Sequence, residues 1–337
     1  MDGSDRLKNR GTERSVWETV QMSFVSTARM VSYIWNKGGT SFRLRACLKV
    51  VSIAWNLRGH LKLVRVIALP HALVLARRHH RLAYRYLNPY LALGFCQKTR
   101  LNALTNHYAY LQGRVNDAFL VKVYDDSPAV WQESLEGCLF TIQLSFPKEH
   151  DCEGDLRLDF KSRSVPLYAM TFTITPGHFV GTDQEQVLLI TAIQGTSKKI
   201  DLIKEATKIC NDTSPPHLLL AAAQGIALSL DISAIAGVSA GQQISREDGD
   251  QSGFVFDYDG FWMSFTGEQT RKDFYEAKVP FPEKPLELLQ ANRRARAVRR
   301  RALRGRVTQS VCRCFNRNFL VRATEDISIN NTCRGTA

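Results

Sequence analysis

The sequence has no apolar run long enough to cross a bilayer. Its best two are Val66 to Ala76, with Pro70 inside it, and Leu218 to Leu230, interrupted by Gln224, Gly225 and Ser229. They span eleven and thirteen residues, against the roughly twenty that a spanning helix requires. Cysteine is scattered: the eight residues at 47, 96, 138, 152, 210, 312, 314 and 333 include no pair with a two-residue gap and no following His-x-x-x-His. That argues against a zinc-knuckle pattern and for thiols of a reducing compartment, with no metal expected. Nothing repeats internally, which excludes solenoids and propellers. Asp2, Asp5, Arg6, Lys8, Arg10, Glu13 and Arg14 precede any apolar run, so a secretory leader is not expected and a cytoplasmic location is.

What is present is a basic chain of globular composition, 337 residues with 44% hydrophobic and 23% charged side chains, enough for one large domain or two ordinary ones. Its net charge of +13 is unevenly placed. Residues 1–120 carry 19 basic and 5 acidic groups, residues 121–290 carry 14 and 25, and residues 291–337 carry 12 and 2. A basic head, an acidic middle and an arginine tail suggest either contact between oppositely charged parts of one fold or a polar molecule facing an anionic surface.

The hydrophobic period divides the chain. Residues 1–40 read as a partly flexible extension and residues 41–112 as a basic helical subdomain. There Leu44, Cys47, Leu48, Val51, Ala54 and Trp55 make one amphipathic helix closed near Gly59. A second apolar run ends at Pro70, a third segment ends at Asn88-Pro89, and another helix covers 98–112. Residues 113–285 read as a mixed-sheet α/β domain. Strands are expected at Leu139–Phe146, Asp155–Phe160, Pro166–Thr175 and Val187–Ile193 in an antiparallel run, with a buried strand at Ala234–Val238. Phe254–Phe256 with Phe261–Phe265 offers a further pair. Ser214 and Pro215 open a helix to Leu230 that is apolar on almost every side and therefore central. Residues 286–308 predict an arginine-rich helix, and 309–337 a flexible tail.

Several segments together resemble the VirK/YbjX family of Gram-negative bacteria, whose biochemical function is unknown. They are His107-Tyr108-Ala109-Tyr110-Leu111, Pro166-Leu167-Tyr168-Ala169-Met170-Thr171-Phe172, Ile190-Thr191-Ala192-Ile193-Gln194-Gly195, Gly237-Val238-Ser239, Tyr258-Asp259-Gly260-Phe261-Trp262, and Arg293-Arg294-Ala295-Arg296 with Arg299-Arg300-Arg301. The resemblance covers roughly residues 80–305 and implies a setting in envelope remodelling, resistance to envelope stress and virulence. The chain departs from the family pattern at Ala240 and Gln243, where the family carries Asn and then His, and at Ser264, where it carries an acid. The order of strands also resembles the acetyltransferase superfold, which grips the pyrophosphate of coenzyme A at a strand–loop–helix. That likeness implies coenzyme A or an acyl-carrier thioester as ligand and acyl transfer as the activity.

The candidate sites follow. Gln194, Gly195, Thr196, Ser197, Lys198 and Lys199 leave a buried strand and feed a helix, so their amides and the two lysines could receive a phosphate; a solvated turn is the plainer alternative. His107 and Tyr108 could act as a general base with a phenolic partner, or be packed helix residues. Asp257 and Asp259 could bind a cation, serve acid/base work or cap a turn, the last being the commoner use. Ser239 lacks a nucleophile elbow, and His79 and His80 read as a solvated face. Arg293, Arg294, Arg296, Arg299, Arg300 and Arg301 could meet the anionic lipid of the inner membrane, nucleic acid, or the acidic middle of the chain. No platform for base reading accompanies them, so sequence-specific nucleic-acid binding is not expected. The leading expectation is a cytoplasmic protein, peripheral to the inner membrane, that supports envelope modification by acyl transfer. The alternatives are a non-catalytic binding or regulatory module and a nucleic-acid-associated stress protein.

Overall fold

A computed structural model describes residues 40–149, 152–244, 256–265 and 268–321, with Ala28 and Ser32. The expected extension before residue 40, the strand at Phe254 and Val255, and the tail after residue 321 lie outside the described residues.

The head is helical, as its period predicts: α1 (Thr40–Trp55), α2 (Leu57–Ile67), α3 (Pro70–Arg78), a 3-10 segment His80–Leu87 and α4 (Gln97–Leu111). The first helix ends at Asn56, whose side chain donates to Ser52 O at 3.1 Å, and not at Gly59. Gly59 sits inside α2, where an added Cβ would come within 2.8 Å of Leu101 Cδ2 of α4. Its small size serves helix packing and not a chain reversal. His79 is buried with its ring edge-on to Phe146 at 5.0 Å, which corrects the expected solvated face there.

After α5 (Phe119–Asp125), the chain enters a mixed sheet of β1 (Ala129–Leu135), β2 (Cys138–Ser145), β3 (Leu156–Ser162), β4 (Val165–Pro176), β5 (Gln186–Gly195), β6 (Ala234–Val238), β7 (Glu268–Gln269) and β8 (Phe274–Lys278). A four-residue helix, α6 (Gly177–Val180), links β4 to β5. The spatial order is β1-β2-β3-β4-β5-β6-β8-β7. β1 to β5 run antiparallel, β5 and β6 are parallel, and β8 lies antiparallel to β6. The parallel pair is joined through α7 (Ile200–Ile209) and α8 (Pro215–Ser229). α8 is buried almost all round, with Leu219, Ala222 and Ile226 fully enclosed. Its N-cap Ser214 has the extended backbone expected, but the hydroxyl pairs with His217 Nδ1 at 2.7 Å and caps no amide.

Phe261–Phe265 is not a strand. Tyr258–Ser264 forms a helix, α9, because Asp257 caps it by accepting from Gly260 N at 2.9 Å. Gly260 is needed there, since a Cβ would fall 2.1 Å from the Asp257 carboxylate. The arginine-rich helix, α10, spans Ala291–Asn318 and so continues ten residues past the expected end. Leu303, Val307, Val311 and Phe315 recur at four-residue steps and are buried, a stripe hidden in the sequence by the arginines around it. α10 packs on α8, where Gly225 allows the close approach: a Cβ there would meet Thr308 O at 2.6 Å. One continuous core includes Leu63 of the head, Phe172 of the sheet and Phe315 of α10.

Candidate functional site

The parallel strands β5 and β6 pair over a short length, Leu188 with Ile235, Leu189 with Ala236 and Ile190 with Gly237. β5 then continues to Gly195 beside β4, while β6 ends at Val238. Among the described residues the second edge of β5 has no strand partner beyond Ile190, and a side chain stands in. The Tyr258 hydroxyl accepts from Ile193 N at 2.9 Å and donates to Ile193 O at 3.3 Å. Gln243 Nε2 in turn donates to the same hydroxyl at 2.7 Å. Burial raises the Tyr258 pKa above the usual phenol range, so the group stays protonated.

α9 is held over this gap by two contacts. Trp262 lies on the backbone of Gly237, where a Cβ would come within 1.9 Å of the indole, so only glycine fits. Asp259 accepts from Ala240 N at 3.1 Å, which ties the end of β6 to the first turn of α9. Asp257 is its cap, so the two aspartates have separate structural partners. Ser239 donates to Asp273 at 2.9 Å. Across the gap, Gln194 donates to the buried Glu153 at 2.8 Å.

Gln194 and Gly195 are thus the last residues of β5, and the loop proper is Thr196 to Lys199. The Thr196 amide is committed to Leu167 O at 2.9 Å and is not free for a ligand. Ser197 and Lys198 are exposed, and Lys198 takes a left-handed conformation with φ of 61°. Lys199 Nζ donates to Pro166 O at 3.2 Å. The structure therefore brings Gln194, Gly195 and Asp259 to the borders of one gap, and the lysine loop begins where β5 ends.

His107 and Tyr108 belong elsewhere. Both are fully buried on α4, and Tyr108 donates to Asp155 Oδ1 at 3.1 Å and not to the histidine. Asp155, also fully buried, receives Arg85 Nη1 at 2.8 Å, Thr173 Oγ1 at 2.7 Å and the Tyr90 hydroxyl. Burial alone would raise the Asp155 pKa, but the neighbouring His107 and Arg85 and these hydrogen bonds outweigh it and hold the carboxyl below the usual range. Burial lowers the His107 pKa and keeps the ring neutral. Its Nδ1 accepts from Ile174 N at 3.1 Å, and its Nε2 has no partner among the described residues. This cluster joins head to sheet. Asp155, Arg85 and Tyr90 escaped the sequence reading, because a carboxylate that opens an alternating strand looks like an ordinary exposed one.

A cleft of about 650 Å³ opens on the far end of α9. Met263, Phe265 and Phe281 supply apolar wall, and Arg301, Arg304 and Gln224 supply polar wall. Ser264 also lines it and donates to Phe261 O at 2.7 Å. His217 lies there against Phe261 and Phe265, its pKa lowered to about 4 by burial and by Arg304 and Arg300.

Four of the ten α10 arginines are turned onto the acidic middle. Arg296 pairs with Asp212 at 2.8 Å, Arg301 and Arg304 with Glu283 at 2.9 and 3.1 Å, and Arg306 with Glu133 at 2.7 Å. Arg294 donates to Leu289 O and Glu287 O. Arg293, Arg299 and Arg300 have no ion-pair partner among the described residues, and the first two are exposed. Among the described residues no three His, Cys, Asp or Glu side chains converge as a metal site, and no single helix is long and apolar enough to cross a membrane.

Comparison with known proteins agrees with the motifs. Residues 39–313, from α1 through most of α10, match the family described as "Protein of unknown function (DUF535)". The chain is 31% identical over 240 residues to the uncharacterized protein YbjX of Escherichia coli (strain K12), covering 68% of this chain and 71% of that one. No solved structure matches. The chain belongs to the DUF535 family, the VirK/YbjX family to which its motifs pointed.

Proposed function

We propose that this protein binds an acyl thioester, of coenzyme A or an acyl carrier, at the carboxyl ends of β5 and β6, and that it transfers the acyl group in modification of the cell envelope from the cytoplasmic side. The observation that carries this reading is the loss of pairing after Ile190 and Gly237. In open α/β sheets ligands enter outside the carboxyl ends of strands where the connection order changes, and here an antiparallel run gives way to a parallel pair. The exposed Ser197 and Lys198, Lys199 and the first turn of α7 follow directly and suit a pyrophosphate. Antiparallel strands, then strand–loop–helix, then a parallel strand is the order that supports likeness to the acetyltransferase superfold. Ala240 and Gln243, two of the departures from the family pattern, fall at the same gap.

In this reading Tyr258, kept protonated by its burial, is the hydrogen-bond donor closest to the thioester, and Asp259 positions the turn that faces it. His107 and Tyr108 take no part. The cleft beyond α9, with aromatic wall beside Arg301 and Arg304, suits an anionic amphiphile as acceptor. The bridging of the gap by Tyr258 and Gln243 favours a second reading, a binding module without turnover. Calorimetry with coenzyme A and acetyl-coenzyme A tests both. Binding is expected, weakened about tenfold when Lys198→Ala and Lys199→Ala remove two charges near a pyrophosphate. No binding by the parent protein contradicts the site, and binding without acyl transfer to any amphiphilic acceptor favours the module.

A further inference from the structure

The head exposes an apolar face that the described fold does not cover. On α1, Leu44, Leu48, Val51 and Trp55 follow one another at steps of four, three and four, so they share one side of the helix. They are 62%, 58%, 59% and 88% exposed. Leu57, at the start of α2, is exposed beside them, and Ile53 is the one buried side chain of α1 among those described. Four large apolar groups in a row, with Ile53 the one inward anchor among the described side chains, is not the burial of a core helix.

The charge around this face has one sign. No Asp or Glu stands between Glu18 and Asp117. The α1 sequence itself carries Arg43, Arg45 and Lys49 with no acid. On the helices that follow, Arg58, Lys62, Arg65 and Arg77 are exposed and make no ion pair among the described residues. α10 differs: four of its ten arginines are paired with Asp212, Glu283 and Glu133.

We infer that α1 and the start of α2 form a docking element for an anionic bilayer surface. The helix lies in the plane of the interface, with Leu44, Leu48, Val51 and Trp55 in the acyl boundary and the basic groups among the headgroup phosphates. Exposed aliphatic residues argue against nucleic acid as the occupant, since phosphate binding has no use for them. A second copy would bring two acid-free surfaces together against their charge. Deeper insertion of α2 and α3 is opposed by His60, Leu63, Val64, His71 and Leu75, which belong to the buried interior. The inference stands apart from the thioester reading, since neither requires the other.

The full chain is mixed with phosphatidylcholine vesicles that contain or lack phosphatidylglycerol, and binding is read by co-sedimentation. Trp55 emission is isolated as the difference between the parent and Trp55→Phe. The protein is expected to sediment with the anionic vesicles alone, and Trp55 emission to move to the blue on binding. Leu48→Ser with Trp55→Ser should weaken binding about tenfold or more, with an unchanged melting temperature because both side chains are exposed. Arg293→Ala with Arg299→Ala on α10 should weaken it by less than about threefold, since those groups carry no apolar anchor. Equal binding to neutral vesicles, or binding indifferent to the Leu48 and Trp55 changes, overturns the inference. So does a blue Trp55 emission before vesicles are added, or a dimer in sedimentation velocity that the double variant abolishes, because either means that another occupant already covers the face.

Discussion

The Asp155 cluster and the gap beyond β5 and β6 are both rich in side chains that chemistry uses, and they differ in what surrounds those side chains. Around Asp155, Arg85, Tyr90, Tyr108 and Thr173 supply matched donors inside a closed interior. At the gap, pairing among the described strands stops while β5 continues, and a tyrosine hydroxyl takes the place of a backbone partner. The first arrangement resists change because every partner is fixed by packing from head and sheet. The second is held by the side-chain hydrogen bonds of Tyr258 to Ile193 and Gln243 in place of a sheet ladder. The adjacency of His107 and Tyr108 reflects packing, whereas β5 runs on for five residues, 191–195, past its last pairing with β6.

The largest expected effect breaks the closed cluster. Asp155→Ala leaves the Arg85 guanidinium buried beside unmatched hydroxyls and should cost about 3–5 kcal/mol, read as a lower urea midpoint. Coenzyme A binding by the folded fraction should be unchanged. A loss of binding at full stability would move the site to Asp155.

Acid tests the interior next. His60 and His217 both have pKa values lowered from 6.5 to about 4, chiefly by burial. The folded protein keeps them neutral while the unfolded chain takes up protons below about 6.5. Their contribution is therefore complete above that pH and is lost as pH falls from 6.5 toward 4, on the order of 2–3 kcal/mol for each. His217→Asn should make the fall in stability between pH 7 and 4.5 shallower, the rest being carried by His60, His71 and His107, which are buried as well. An equally steep fall in that variant would contradict the assignment.

Tyr258→Phe is the smallest change. It removes one hydroxyl from Ile193 and Gln243 and should cost about 1 kcal/mol of stability, yet alter thioester affinity or turnover. An effect on stability as large as that of Asp155→Ala would make the gap a structural element like the other.

The parts of this architecture that could be read in advance were those with strict periods. β2 to β6 and α8 announce themselves through alternation or through an unbroken apolar surface. β1 did not, because Gln132, Glu133 and Ser134 dilute its pattern. The end of α10 was hidden because its inward stripe is one residue in four among arginines. Phe261 to Phe265 looked like a strand by composition, and the Asp257 cap made it a helix. Of the candidate site, Gln194, Gly195 and Asp259 were legible as residues with chemistry near strand ends. Tyr258 was visible as part of a motif, but its function as a substitute strand partner depends on where β5 and β6 part, which no local pattern encodes. Asp155 and Arg85 lie 70 positions apart in sequence, and their pairing is a product of tertiary packing alone.

Amide hydrogen exchange with and without coenzyme A tests the central claim most directly, because it reports both regions at once. The account predicts added protection at the end of β5 and the following loop, residues 193–200, and at the turn after β6, residues 238–243, with exchange around His107 and Asp155 unchanged. Protection centred on His107 and Asp155, or none anywhere at saturating ligand, would contradict it.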